Sequence, residues 1–379
     1  MQKPPKNSLT VHVLGEGIGE SIILELPNDK WGVVDCYAHS IQNETTNQTL
    51  NFLRQRNVQA LEFLCLSHPH EDHFRGITHL LKAYDGKLKA FWRFPARPLG
   101  NVIAHLRAVA DESVDYAIHR KSVAELTRMF QIIDSMRKGG NFTVRLTEGF
   151  KLLYSDIVES EGENVQLKIF SLAPAGNLVD DYQEDIEKSL ADEQYFAQKY
   201  YQKLNLISSV LLLKYGETRV ILGGDAEKQS WDYILNDELR IKEGESLFAH
   251  LAKVSHHGSR NSLTENLWET LIGDRECYAV ITPFQSRRLP EKQTLSSIAR
   301  HTKEIFATSL KALTFLQWEE IRQKYLQQQE RHTSSASVTF SSEVPCRCSF
   351  SFDAFGTCLE PDFEGAAGHI CIDKYDASS

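Results

Sequence analysis

The feature that most constrains the fold is an apolar run at residues 61–66, which stops abruptly at a group of histidines and aspartates. A run with so few polar residues is typical of a buried strand in a layered α/β protein. Residues that follow such a strand lie at one edge of the sheet, where functional sites are usually found. The run therefore predicts an α/β fold with a site at residues 67–73.

Patterns elsewhere in the chain predict the other elements. Short β-branched and apolar runs predict strands at 9–14, 21–26, 31–34, 143–147, 150–154, 165–172, 208–214, 218–222, 247–254 and 278–282. Helical spacing of apolar residues predicts helices at 46–58, 76–84, 101–138, 182–203, 226–238, 293–300 and 316–330. We expect a main domain at 1–315 with a helical insertion at about 101–138, and a C-terminal helix with a β-rich extension at 316–379.

Composition excludes several classes of protein. No run reaches the ~18–20 apolar residues that a membrane span needs, and the first residues lack the long apolar stretch of a secretory signal. Seven scattered cysteines do not resemble a disulfide framework. A formal net charge of −9 argues against a protein that coats nucleic acids regardless of their sequence. We expect a cytoplasmic protein that does not bind membranes. The insertion, which is locally basic, and the C-terminal extension are candidate surfaces for a protein partner.

Four residues that bind metals in proteins occur within six positions: His68, His70, Asp72 and His73. On an extended backbone His68 and His70 project to the same side, and a turn after His70 brings the other two to a second position nearby. Imidazole and carboxylate without thiolate favour Zn²⁺, with Mn²⁺ or Fe as alternatives. A histidine-containing surface loop is the simpler interpretation, but the position directly after a buried strand favours a metal site.

Two further loops carry similar residues. Asp225 follows two glycines at a predicted strand end, where it could bridge two cations; it could also cap the helix predicted at 226–238. His256 and His257 follow another predicted strand and offer one or two more imidazole ligands. Ser259 could orient one of these ligands. The pattern does not say which of the two rings points inward.

Taken together, these motifs resemble the metallo-β-lactamase superfamily, and most closely the metallo-hydrolase domain of the ComEC type, without its membrane channel. The likeness covers about residues 9–300, including the strand that ends at Asp35, the hairpin led by Asn205 and the His-His-Gly-Ser loop. It implies a four-layer αββα sandwich, one or two metal ions, and hydrolysis, with nuclease or phosphodiesterase chemistry first. It also implies that Asp35 supports a ligand and that Asn205 contacts substrate.

The chain departs from this pattern at three places. Asp35 is followed by cysteine and tyrosine rather than by glycine. The strand that ends at residues 171–174 lacks the histidine ligand of many superfamily members, which leaves one metal position short of a ligand. Where the family has asparagine and then His-Pro, this chain has Arg287 and Arg288. An arginine there could hold a phosphate through two hydrogen bonds.

These observations support metal-assisted hydrolysis of a phosphodiester, in which bound cations would make water ionise near pH 7. We expect Asp72 and His257 to be the catalytic residues, and a phosphodiester or nucleic acid to be the substrate. Three rivals stay open. The first is a hydrolase of small molecules such as a cyclic nucleotide, a lactone or a thioester, and the second is a non-catalytic interaction protein that keeps a metal site. The third is a redox member of the superfamily with a di-iron site, against which the lack of an apparent flavin-binding domain argues.

Overall fold

The computed structural model describes residues 7–95, 100, 103, 116–160, 162–191, 201–264, 266–273, 275–302, 304–316, 346–359 and 361–370. Its strands are β1 (Leu9–Leu14), β2 (Ser21–Leu26), β3 (Lys30–Val34), β4 (Phe63–Leu66), β5 (Ala90–Arg93), β6 (Thr143–Leu146), β7 (Lys151–Ser160), β8 (Glu163–Ala173), β9 (Val210–Tyr215), β10 (Thr218–Leu222), β11 (Leu251–Lys253), β12 (Tyr278–Ile281), β13 (Ile305–Ala307), β14 (Arg347–Phe352), β15 (Asp362–Glu364) and β16 (Gly368–Ile370).

The helices of the described residues alternate with these strands along much of the chain. They are α1 (Gln48–Gln55), α2 (Glu71–Phe74), α3 (Ile77–Ala83), α4 (Tyr116–Lys138), α5 (Gly176–Ala191), α6 (Lys228–Leu235), α7 (Glu238–Lys242), α8 (Leu267–Ile272) and α9 (Lys292–Ala299). In this part of the chain, no helix is both long enough and apolar enough to cross a bilayer.

The strands form two eight-stranded mixed sheets. The first has the order β15-β14-β1-β2-β3-β4-β5-β6, and the second has the order β16-β13-β12-β11-β10-β9-β8-β7. Pairs β3–β4 and β4–β5 are parallel in the first sheet, as are β10–β11, β11–β12 and β12–β13 in the second. The carboxyl ends of these parallel strands therefore meet at one edge of each sheet.

Three apolar cores separate four layers. The middle core lies between the two sheets and contains side chains of β1, β2, β9, β10 and β14. A second core packs α1, α3 and α4 on the outer face of the first sheet, and a third packs α6, α8 and α9 on the outer face of the second. The predicted four-layer αββα sandwich is therefore confirmed.

Strand β1 illustrates why both faces of the sheets are buried. Leu9, Val11 and Val13 point into the core between the sheets. Leu14 lies in the core under the helices, and His12 is also buried. Side chains alternate between the two faces of a strand, and both faces here are covered. Because both faces are covered, the sequences of such strands are almost continuously apolar.

Several element boundaries differ from the sequence-based predictions. The strand predicted at 247–254 shrinks to β11, because the backbone N–H of Ala249 donates to Leu271 rather than to a neighbouring strand. Strand β7 runs to Ser160, beyond the predicted 150–154. Strand β13 was not predicted. The helix predicted at 316–330 lies outside the described residues, apart from Leu316, as does most of 101–115.

Strands from the C-terminal segment complete both sheets. Strand β14 pairs antiparallel with β1, with Leu9 opposite Phe352, and β16 pairs antiparallel with β13. Phe350 and Phe352 are fully buried in the core between the sheets. This segment therefore packs as part of the sandwich.

One consequence of this pairing is a buried histidine in β1. His12 is 2% exposed, and its Nδ1 lies 2.9 Å from the Ser349 hydroxyl and 3.2 Å from the Arg347 guanidinium. Burial, together with the Arg347 charge, lowers the pKa of His12 from its ordinary 6.5 to about 4. The ring is therefore neutral in the folded protein at pH 7.

We expect His12 to make folding sensitive to acid. The unfolded chain binds a proton at His12 below about pH 6.5 and the folded chain does so only near pH 4, so the free energy of unfolding falls as the pH drops through this window. The His12 contribution to that fall is ~3 kcal/mol. Urea unfolding at several pH values between 4 and 7 gives the free energy of unfolding of the wild type and of His12→Gln. The difference between the slopes of these two free energies against pH measures the His12 contribution. The exposed His301→Gln is the control, and parallel curves for wild type and His12→Gln would contradict the prediction.

Candidate metal centre

The predicted ligand loops meet where neighbouring strands end. Residues 67–70 follow β4 and lead into α2, Asp225 follows β10, and residues 255–258 follow β11. Gly224 has a φ of +50°, and a Cβ at this position would lie only 2.6 Å from the Ser209 carbonyl oxygen. Glycine is needed there because the chain turns sharply against its neighbour, and this turn brings Asp225 to the histidines.

The potential ligand atoms form three groups. One joins Glu20, Asp35 and His73, and the other two are a first and a second set that share Asp225. Within each set, all the donor atoms lie within 4.8 Å of one another. The first set comprises His68, His70 and Asp225. The second set comprises Asp72, His73, His257 and Asp225. All of them except Asp72 are buried, and Asp72 is partly exposed.

Asp225 lies between the two sets, and its Oδ2 is near members of both, since it also lies 3.9 Å from His257 Nε2. Its Oδ1 lies 3.4 Å from His73 Nε2, and its Oδ2 lies 3.7 Å from His68 Nε2. Its backbone N–H donates to the Ser208 hydroxyl at 2.9 Å, and α6 begins three residues later behind Glu227. Asp225 therefore does not cap that helix, which was the alternative interpretation of this residue. Its position is that of a carboxylate bridging two cations.

The donor atoms fit a divalent cation. In the second set, His73 Nε2 lies 3.4 Å from both Asp72 Oδ2 and Asp225 Oδ1. Tetrahedral zinc with bonds of ~2.0–2.1 Å places its ligand atoms about 3.4 Å apart. His73 Nε2 and Asp225 Oδ1 are buried and have no hydrogen-bond partner among the described residues. Buried polar atoms are rarely left in this way, and one cation between them would satisfy both.

The first set holds three protein ligands rather than four. His68 Nε2 and His70 Nδ1 lie 2.8 Å apart, with Asp225 as the third member. The strand end that lacks the family's extra histidine contributes Ser171, whose hydroxyl donates to the Glu148 carbonyl instead. Three protein ligands leave a position open, as in catalytic zinc sites.

In three of the candidate histidine ligands, the ring nitrogen that points away from the centre lies within hydrogen-bond distance of another protein group. His73 Nδ1 lies 2.8 Å from Asp35, whose carboxylate also accepts hydrogen bonds from the backbone N–H and hydroxyl of Ser67. His257 Nδ1 lies 2.8 Å from the Thr282 carbonyl, and His68 Nδ1 lies 3.0 Å from the Ser67 hydroxyl. Such contacts set the tautomer and direct each Nε2 toward the centre. Asp35 thus has the supporting position expected of it.

The charges of the centre attract a cation. Burial alone would lower the pKa of His73, but the carboxylates of Asp72, Asp225 and Asp35 outweigh it and raise that pKa well above its usual range. Burial and the neighbouring imidazoles hold the pKa of His68 well below its usual range, so that its ring is neutral and can act as a ligand. A proton and a metal ion compete for the same nitrogens in such a site.

A buried ion pair under the centre was not predicted from the sequence. Lys253 and Glu20 have fully buried side chains and contact each other. Glu20 also accepts a hydrogen bond from the Thr282 hydroxyl at 2.7 Å, and that hydroxyl lies 3.1 Å from His257 Nδ1. A lysine inside the apolar strand β11 was the available signal, since lysine is almost never fully buried without a partner.

Only one of the paired histidines joins the donor sets. His256 and His257 both have left-handed backbone angles, with φ of 49° and 53°, so the chain turns tightly between them. The His257 side chain is buried against Asp72, whereas His256 is partly exposed and contacts Asn205 and Glu227. Of the two rings offered as ligands, only His257 belongs to a group of potential ligand atoms among the described residues.

A cleft of about 250 Å³ opens onto the centre. Its wall includes the ligands His70, Asp72, Asp225 and His257, and beyond them Asn205, Glu227, His256, Ser259, Asn261, Phe284, Arg287 and Leu289. Ser259 contacts the backbone N–H of Asn261 rather than a ligand. Arg287 lines the cleft; Arg288, which has a left-handed backbone with φ of 55°, is not part of this wall.

Comparisons with known proteins give a structural likeness only. No protein-family model and no curated protein sequence matches the chain. The metallo-β-lactamase fold protein YhfI from Bacillus subtilis is 12% identical, with a TM-score of 0.30 over 65% of this chain and 71% of that one. Zn²⁺-bound PqqB from Methylobacterium extorquens is 12% identical, with a TM-score of 0.38 over 78% and 97%. The CmlA β-hydroxylase is 11% identical, with a TM-score of 0.34 over 68% of this chain but only 36% of that protein.

We expect the purified protein to carry two divalent ions per chain and to lose them when the shared carboxylate is removed. Asp225→Ala takes a ligand from both sets, and removal of a single ligand typically weakens metal binding strongly. Metal content after gel filtration, measured by inductively coupled plasma mass spectrometry, tests this. Asp180→Ala, an exposed aspartate in α5, is the control. An Asp225→Ala protein that retains two ions would contradict the assignment.

We also expect the buried ion pair to be essential for stability. Lys253→Met leaves the Glu20 carboxylate buried without its partner, which should lower the free energy of unfolding by about 3–5 kcal/mol. The double variant Glu20→Gln with Lys253→Met removes both charges and should recover most of the loss. Urea unfolding measures each value. Lys151→Met breaks an exposed pair with Glu148 and should cost less than ~1 kcal/mol. An equally small cost for Lys253→Met would refute the role of the pair.

Proposed function

We propose that this protein is a metal-dependent hydrolase that cleaves phosphodiester bonds. The observation that carries the proposal is the shared carboxylate of Asp225, which belongs to two sets of buried ligands at the floor of an open cleft. Two ions held by a common carboxylate are characteristic of enzymes that hydrolyse phosphate esters. The motif likeness to ComEC-type domains supports the same class.

The two donor sets define which residues hold the ions. His68, His70 and Asp225 would hold one ion, and Asp72, His73, His257 and Asp225 would hold the other. When bound there, Zn²⁺ (or Mn²⁺ or Fe in its place) offsets the charge of the phosphoryl group and makes water acidic enough to ionise near pH 7. An all-imidazole and carboxylate set of ligands favours zinc.

Asp72 is the residue best suited to accept a proton from the attacking water. Its side chain is 16% exposed, whereas the carboxylate of Asp225, which also lines the cleft, is 3% exposed. Burial alone would raise the pKa of Asp72, but the charge of His73 and the hydrogen bond with His257 outweigh it and hold that pKa well below its usual range. The carboxylate is therefore ionised, so it can accept a hydrogen bond from a water in the cleft and orient that water.

Arg287 supplies a positive charge on the wall of the cleft. The side chain is exposed and lies among the lining residues with Phe284. A guanidinium can hold two phosphate oxygens at once, which orients the phosphorus toward the metal centre. We assign Arg287 rather than Arg288 to this role because only Arg287 lines the cleft.

The size of the cleft favours a small substrate within the proposed phosphodiesterase chemistry. A volume of about 250 Å³ encloses a group no larger than about one nucleotide. This volume favours a small phosphodiester, or a single strand that enters one unit at a time.

We expect Zn²⁺- or Mn²⁺-loaded protein to hydrolyse bis-para-nitrophenyl phosphate, single-stranded RNA or single-stranded DNA. Asp72→Asn keeps the shape of the side chain but removes the proton acceptor, so kcat should fall on the order of 10²–10⁴-fold. Steady-state assays with and without a chelator measure both effects, with Asp180→Asn as the exposed control. Inactivity of the metal-loaded wild type on all three substrates would move the assignment to a hydrolase of another ester class.

A further inference from the structure

The buried pair of Glu20 and Lys253 joins the two sheets beside the metal centre. Glu20 precedes β2 in the first sheet, and Lys253 is the last residue of β11 in the second. Their side chains contact each other and have no exposed surface. Removing two charges from water is costly, and apolar residues of similar volume often stabilise a fold at least as well as a buried ion pair. Stability alone therefore does not explain why the chain has an ion pair here.

Glu20 lies against three of the four candidate ligands of the second set. Its backbone N–H donates to the Asp72 carbonyl at 3.2 Å, and its Oε2 accepts from the Thr282 hydroxyl at 2.7 Å. That hydroxyl lies 3.1 Å from His257 Nδ1, and Glu20 Oε2 lies 3.9 Å from the same nitrogen. Glu20 Oε1 lies 3.9 Å from His73 Nδ1. One residue thus connects the support of His257 to the backbone of Asp72.

The residue before Glu20 permits this close approach. A Cβ at Gly19 would lie 2.8 Å from the Asp72 carbonyl oxygen and 2.4 Å from the Tyr37 ring. Any larger residue would clash with both groups, so glycine is needed for the two backbone segments to meet. The hydrogen bond from the Glu20 N–H to Asp72 therefore belongs to a tightly packed contact.

Lys253 contacts the turn that carries the fourth ligand of the set, Asp225. Its ammonium group donates to the Gly224 carbonyl at 3.4 Å, and that carbonyl also accepts from the backbone N–H of His256 at 2.9 Å. The backbone carbonyl of Lys253 accepts from the N–H of Gly223 at 3.2 Å. The side chain and the backbone of Lys253 therefore both hold the turn before Asp225, while Glu20 holds the side chain of Lys253.

The first set has other supports. His68 Nδ1 lies 3.0 Å from the Ser67 hydroxyl and 3.4 Å from the Ser208 hydroxyl. Asp225 is the one member that the two sets share. Loss of the buried ion pair should therefore act mainly on the second set.

We propose that Glu20 and Lys253 are positioning residues for the second donor set, and that tight binding of a cation there depends on them. The carboxylates of Asp72 and Asp225 belong to one group of atoms within 4.8 Å, so they repel each other until a cation is bound. Contacts that hold such ligands in place beforehand raise the affinity, because less ordering is needed on binding. The inference concerns the metal centre and does not depend on which substrate is hydrolysed.

The test separates positioning from stability with the double variant of Glu20→Gln and Lys253→Met. This variant removes both charges without changing the net charge, and it should stay folded. Titration of the metal-free proteins with Zn²⁺ against a chelating indicator gives a dissociation constant for each ion. The double variant should bind one ion as the wild type does and the other about 10–100-fold more weakly. The double variant of Glu148→Gln and Lys151→Met, which removes an exposed pair, should bind both ions normally.

Two ligand variants show which ion is affected. His70→Ala removes a ligand of the first set only, and His257→Ala removes a ligand of the second set only. Adding the double variant to His70→Ala should weaken the remaining ion about 10–100-fold. Adding it to His257→Ala should change the affinity far less, and an equal change in both backgrounds would overturn the proposal.

Variants of Thr282 test the same role with the ion pair left in place. Thr282→Val removes the hydroxyl that joins Glu20 to His257, so it should weaken the second ion. Thr282→Ser keeps this hydroxyl and should bind as the wild type does. This comparison decides the question if the double variant does not fold. Unchanged Zn²⁺ affinities in Thr282→Val and in a folded double variant would overturn the proposal, as would a wild type that binds no second ion. Because no turnover is measured, inactivity on phosphodiesters does not affect the result.

Discussion

The structure depends on one buried carboxylate, Asp225, which faces two imidazoles of the segment that follows β4 and, at 3.9 Å, the His257 imidazole of the loop that follows β11. Its oxygens lie 3.4 Å from His73 Nε2 and 3.7 Å from His68 Nε2. A carboxylate in the protein interior is unfavourable unless opposite charges and hydrogen bonds compensate it. Here the neighbouring histidines outweigh the effect of burial and hold the pKa of Asp225 well below its usual range. The site is therefore built to keep negative charge inside the protein, and such charge attracts a cation.

The surroundings of the centre restrict how these groups can move. Asp35 joins the end of β4, through Ser67, to the outer nitrogen of His73. On the other side, the buried pair of Glu20 and Lys253 supports Thr282, which contacts the outer nitrogen of His257. These supporting residues lie at the ends of several different strands. The two sheets must therefore be assembled before the candidate ligands are aligned.

The same loops that supply the ligands also supply the cleft. Asp72 and Arg287 lie on its walls with the cluster of Asn205, Glu227 and His256. This arrangement places a cationic side chain and several carboxylates around one opening. Because the cluster is joined to the centre by one to three residues at each point, a change in one loop would move both.

The sequence alone determined the layered fold and most of the centre. The apolar run before His68 and the glycines before Asp225 predict strand ends, and chemistry at those ends follows from the topology of parallel strands. The sequence could not determine which way each side chain points, or which residues far apart in the chain contact each other. The choice of His257 over His256 depends on left-handed backbone angles at both residues. The contact between Glu20 and Lys253 joins residues 233 positions apart, and the Asn205 amide meets Glu227 only because the loops before β9 and after β10 pack together. Local patterns specify which residues are buried and which strands form, but contacts between distant loops are decided only when the two sheets pack against each other.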